Sequence, residues 1–186
     1  MMEAMKKLIP VFLFIMAFTG FLSTQILWDN YHLNAKHLDG DKQKHSLYES
    51  NFQTLKLTTA KSSTIELNKL KEPIVLLNFW ASWCHPCLKE FPSLVKFQEK
   101  FKDKVIVVGV NGDEEKPEEA IKKIEAKYKL NFESGLDPYG NIADKFLINT
   151  YPVSLVFHKG KIIYESRKIH DFMNPEFIKT IEEALK

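Results

Sequence analysis

Residues 73–101 read PIVLLNFWASWCHPCLKEFPSLVKFQEKF, and this stretch constrains the fold more than any other. Its first eight residues form a near-continuous apolar run, the pattern of a strand covered on both faces. Apolar side chains then recur at helical spacing, at Leu88, Phe91, Leu94, Val95 and Phe101. That predicts an amphipathic helix from about Cys84 to Phe101, bent or interrupted at Pro92. A doubly buried strand that runs directly into a helix belongs to a parallel sheet with helices packed on its faces.

The residues that follow repeat the theme. VIVVGV (105–110) predicts a second buried strand, and KPEEAIKKIEAKY a helix with Pro117 near its start and acid in its first turn. DPYGNIADKFLI (137–148) gives a turn and a short helix. PVSLVF (152–157) is a third strand, His158–Lys161 a tight turn, KIIYES a fourth strand, and Asn174-Pro175 opens the last helix. Ahead of them, FQTLKL and STIELNKL predict a hairpin leading into the domain. Parallel strands with crossover helices, closed by an antiparallel pair, predict an α/β fold with a mixed central β-sheet flanked by helices.

Cys84 and Cys87 are the only cysteines among 186 residues, and they fall at the joint between strand and helix. A bridge across two intervening residues constrains little of the unfolded chain, which argues against a purely structural role. Structural zinc needs a second ligand pair, which is missing, and c-type haem attachment needs a histidine where Leu88 stands. No metal ligands or cofactor are therefore assigned. Copper binding by the two thiolates and a distant histidine stays open, as in a copper chaperone. The other reading is a redox dithiol. At the helix N-terminus, unpaired N–H groups and the helix dipole favour a Cys84 thiolate, the nucleophilic form. Cys87, one turn inward, can resolve a mixed disulfide. Pro86 suits the first helical turn, and a protonated His85 would favour the thiolate further.

FWASWCHPC resembles the active-site stretch of the thioredoxin superfamily, in which Trp83-Cys84-x-Pro-Cys87 follows a hydrophobic strand and a proline opens a late strand. The resemblance covers roughly residues 46–186 and implies a thioredoxin-like fold. Asn78 stands where a cytoplasmic thioredoxin carries an acid. NFWASWC and CLKEFPSL instead resemble the membrane-anchored TlpA/ResA/CcmG group of thiol–disulfide oxidoreductases. That resemblance implies Glu90 as a catalytic partner of Cys87, on the same helix face and with its pKa raised by burial. It also implies a cis peptide before Pro152, with Tyr151 presenting backbone groups to a substrate strand. Val153 and Ser154 follow where the family often has threonine, so the substrate surface departs from the pattern. The partners implied are protein disulfides, with apocytochrome c during cytochrome c maturation as one substrate class, and a membrane electron donor of the thiol-transfer type. A general reductase of secreted proteins is the neighbouring reading. A thiol peroxidase would want an arginine at a lone activated cysteine, and the single arginine, Arg167, comes late in the chain.

The N-terminus bears on location. From Leu8 to Trp28 there is no charged residue, while Lys6 and Lys7 precede the stretch. About 20 apolar residues cross a bilayer as a helix, and no Ala-x-Ala-like cleavage site follows. The expectation is an uncleaved signal anchor (residues 1–28), with the basic end inside and the catalytic domain on the extracytoplasmic side, where disulfide chemistry is routine. Residues 29–45, polar with His32, His37 and His45 at spacings that fit no common metal site, predict a juxtamembrane linker. With 26 basic against 24 acidic residues, neither a basic patch nor arginine forks mark a nucleic-acid surface.

Overall fold

The computed structural model describes residues 2–186, with side chains described for residue 16 and residues 18–31 and 40–186. Residues 45–186 form one compact unit, and the residues before His45 another. The helix α1 runs Met2–Thr54, so residues 29–45, expected as a polar linker, are helical. The transmembrane anchor expected over residues 8–28 is not supported among the described residues, where no helix is long and apolar enough to cross a membrane. The side chains of residues 8–15 and 17 lie outside that description. Its described remainder carries Thr19, Ser23, Thr24 and Gln25, which dilute the apolar character.

The compact unit holds the expected α/β fold. A small antiparallel hairpin of β1 (Lys56–Thr58) and β2 (Thr64–Glu66) comes first. The elements β3 (Ile74–Trp80), α2 (His85–Lys100), β4 (Val105–Asn111), α3 (Pro117–Tyr128) and β5 (Glu133–Leu136) follow. Then come α4 (Asn141–Lys145), β6 (Val153–His158), β7 (Lys161–Ser166) and α5 (Pro175–Ala184). The central sheet has the order β5-β4-β3-β6-β7, with β3, β4 and β5 parallel and β6 and β7 antiparallel.

Every residue of β3 is buried, and its two-residue period divides the core. Ile74, Leu76 and Trp80 join a cluster with Phe91, Leu94, Phe97, Phe172 and Phe177. Val75, Leu77 and Phe79 join the cluster on the other face, with Tyr48, Phe52, Phe146 and Phe157. The C-terminal turns of α1 belong to this second cluster, because Tyr48 and Phe52, four residues apart on one helix face, are buried, as is Leu55 just beyond the helix. Asn51 Nδ2 donates to the Lys145 carbonyl at 2.6 Å, fixing that end against α4. The residues expected to begin the hairpin, Phe52 and Gln53, are thus the end of α1, and the hairpin itself is shorter than its sequence pattern. β5 lacks an apolar run and gave no strand signal; Gly135 within it admits the hairpin, since a Cβ there would lie 2.7 Å from Leu57 Cβ. Pro92 does not interrupt α2.

Candidate active site

Strand β3 ends at Trp80, and four residues later Cys84 caps α2. The turn between them is held from two sides. The Cys84 N–H donates to the Ala81 carbonyl at 3.1 Å. The buried Asp113 carboxylate accepts from the Ser82 N–H at 2.9 Å, from Ser82 Oγ at 2.8 Å and from Asn111 Nδ2 at 2.7 Å. The dithiol therefore sits on a rigid strand end rather than on a mobile loop. Asp113 escaped the sequence reading, because an acid in a loop after β4 carries no signal until the sheet brings β3 and β4 together.

Cys84 and Cys87 form a disulfide with their Cα atoms 5.3 Å apart. Cys84 Sγ accepts from the Cys87 N–H at 3.3 Å, the cap geometry in which backbone donors meet the sulfur. Both cysteines are buried in this oxidised form: 4% of Cys84 and none of Cys87 is accessible. Trp83 is the exposed residue of the turn, its ring centroid 5.8 Å from that of Tyr151. His85 and Pro86 are exposed at the start of the helix.

The Tyr151-Pro152 peptide is cis, at the entry to β6. Tyr151 packs on Gly112, whose missing Cβ leaves the room that the Tyr151 hydroxyl occupies. Burial, reinforced by Asp137 and Asp113, raises the Tyr151 pKa, so its hydroxyl stays protonated. Beside these rings an open groove of about 430 Å³ is lined by Trp83, Gly112, Glu114, Tyr139 and Tyr151. Trp83, the chain neighbour of Cys84, is the residue of the turn that lines it.

Glu90 lies three residues beyond Cys87, on the same face of α2, and only 1% of it is accessible. Its Oε1 accepts from the His170 N–H at 2.6 Å, and its Oε2 stands 3.5 Å from Asn78 Nδ2. Burial disfavours the carboxylate and raises the pKa to about 7, against the opposing pull of those two donors. A carboxyl near neutrality can take or give a proton at working pH. His170 was not legible as a site residue, since it reaches Glu90 through its backbone from the loop after β7. Arg167 is engaged elsewhere, donating to Tyr48 Oη at 2.6 Å and to the Leu147 carbonyl at 3.2 Å.

A model of the AhpC/TSA family matches residues 49–166. The chain belongs to this family. The thioredoxin-like protein YneN of Bacillus subtilis is 31% identical over 139 residues, covering 74% of this chain and 78% of YneN. The thiol-disulfide oxidoreductase ResA of the same organism is 35% identical over 118 residues; the match covers 59% of this chain and 65% of ResA, just under two thirds of its length. The crystal structure of StoA from Bacillus subtilis superposes with a TM-score of 0.56 at 26% identity, covering 71% of this chain and 96% of StoA. This AhpC/TSA family member is thioredoxin-like and similar to thiol–disulfide oxidoreductases such as ResA.

Proposed function

We propose that the protein is a membrane-anchored reductase of protein disulfides outside the cytoplasm, with the cysteine pairs of apocytochrome c as its substrate class. The observation that carries this reading is the buried Glu90 carboxyl, its pKa near 7, one helical turn beyond Cys87. In the reduced enzyme the Cys84 thiolate attacks a substrate sulfur, and the substrate's second sulfur leaves and takes a proton. Cys87 then gives its proton to Glu90 and attacks Cys84 Sγ. The substrate's first sulfur leaves reduced, and the Cys84–Cys87 disulfide remains. A thiol-transfer partner in the membrane returns the two electrons. The groove beside Trp83 and Tyr151 offers room for a substrate strand against the backbone at Tyr151.

The uncharged stretch 8–28 behind Lys6 and Lys7 supports the anchor and the outward orientation. A peroxidase would need its guanidinium at the nucleophile, whereas Arg167 serves Tyr48 and Leu147. The test uses the full chain, reduced and in detergent, with an oxidised Cys-x-x-Cys-His peptide and the same peptide lacking the histidine. The expected result is peptide reduction with matching oxidation of the enzyme, faster for the histidine-containing peptide. Equal rates would remove apocytochrome c as the preferred class, and an unreacted peptide would remove the reductase assignment. Cell fractionation should find the intact chain in the membrane, its domain open to protease added from outside; a shortened soluble product would contradict the anchor.

A further inference from the structure

Asn78 sits in the middle of β3 with no accessible surface. Its Nδ2 lies 3.0 Å from Ser154 Oγ, on the neighbouring strand β6, and 3.5 Å from Glu90 Oε2. Its Oδ1 is buried without a hydrogen-bond partner. A buried amide oxygen left without a donor is unfavourable, and folds rarely keep one unless the group has a further use.

The Glu90 carboxyl supplies that use. The His170 N–H needs an acceptor in every state and holds Oε1, so a proton arriving on the carboxyl falls on Oε2, opposite Asn78. An ionised Oε2 wants a donor, while a protonated Oε2 wants an acceptor. A terminal amide carries one of each, half a turn apart, and the Ser154 hydroxyl can accept from the nitrogen or donate to the oxygen. The remaining titratable groups in this region are Cys87 on α2, Tyr164 on β7, and His170. The His170 ring packs on Tyr164, Phe172 and Phe177 and feels Asp171 and Lys168. Lys89 and Lys96 line a cavity on the outer side of the same loop. Among these described groups, only the Asn78 amide meets Oε2.

We propose that Asn78 and Ser154 act as an amide switch that follows the proton on Glu90, and so position that carboxyl for exchange with Cys87. With Glu90 ionised, Nδ2 faces Oε2. When Cys87 passes its proton to Oε2, the amide turns over, Oδ1 accepts from the new O–H, and Ser154 donates to Oδ1. The resolving step then leaves no buried charge, the new carboxyl O–H has an acceptor, and the unpartnered end of the amide becomes Nδ2 in place of Oδ1. Asn78 is a positioning residue, since it touches neither sulfur, and the inference rests on the proposed proton exchange between Glu90 and Cys87.

The experiment uses the full chain in detergent, with oxidised glutathione as the disulfide. In 15N-labelled protein the Asn78 side-chain NH2 signals should titrate with the Glu90 midpoint, near pH 7, and lose that dependence in Glu90→Gln. Asn78→Leu keeps size and burial but has no amide. It should slow exchange at pH 7 roughly tenfold, the effect of one lost buried hydrogen bond, and add nothing in the Glu90→Gln background. Pair signals that do not respond to pH, or a slowing of the same size with and without Glu90, overturns the switch. If Glu90→Gln slows exchange and Asn78→Leu does not, the switch falls alone. If Glu90→Gln changes nothing, the proton-exchange reading falls and the switch with it.

Discussion

Replacing Glu90 by glutamine should make the protein more stable in mildly alkaline solution and leave it unchanged in acid. Moving a carboxyl from 4.5 to about 7 on burial means that ionising it in the folded chain costs about 3 kcal/mol more than ionising it in the unfolded chain. Glu90 is almost wholly covered, so solvent screening takes little from that figure. Below pH 4.5 the group is protonated in both states and has no effect on stability. Between 4.5 and 7 the folded chain keeps a proton that the unfolded chain releases, so stability falls as pH rises. Above 7 the full destabilisation is present. Glutamine cannot ionise; its carbonyl can take the His170 N–H and its NH2 can face a turned Asn78 oxygen. Urea unfolding of the oxidised full chain in detergent, followed by tryptophan fluorescence, measures the difference between variant and wild type. That difference should be near zero at pH 4 and grow to about 3 kcal/mol in favour of Glu90→Gln by pH 8. Parallel stability curves across that range would show that Glu90 ionises as freely in the fold as outside it, and would refute the reasoning.

Two other substitutions probe the frame that holds the dithiol. Asp113→Ala releases the Ser82 N–H and hydroxyl and the Asn111 amide; it should cost about 1–3 kcal/mol in chemical denaturation and slow disulfide exchange several-fold by loosening the turn before Cys84. Phe91→Ala opens a cavity where α2 meets Trp80, Tyr128 and Phe132, and the same denaturation assay should register a loss of about 3–5 kcal/mol.

Strands β3, β4 and β6 of the central sheet were legible because they are covered on both faces. A run such as VIVVGV has little alternative to a buried strand, and the strand-to-helix joint at Cys84 fixes the topology around it. Elements without an apolar signature were not legible. β5 is ESGL, and its strand character comes from pairing with β4 and from Gly135 making room for Leu57. Residues 29–45 are too polar and aperiodic to announce a helix, yet they lie within α1. In the site, Trp83 and Glu90 were singled out by the family resemblance, whereas the cysteine pair at the strand–helix joint and Pro86 in the first turn could be read directly. The partners could not, since Asp113, Ser154 and His170 come from three other segments and meet β3 and α2 only through the fold. Asn78 was visible as a departure from the thioredoxin pattern, but its orphaned oxygen is a property of packing.

The most direct test of the redox account is to mix oxidised substrate peptide with reduced protein carrying Cys87→Ser or Cys84→Ser, and to analyse the products on a non-reducing gel. With Cys84 as nucleophile and Cys87 as resolver, Cys87→Ser should accumulate a covalent enzyme–peptide disulfide that dithiothreitol releases, and Cys84→Ser should accumulate none. Equal trapping by the two variants, or trapping by Cys84→Ser alone, would contradict that assignment of roles.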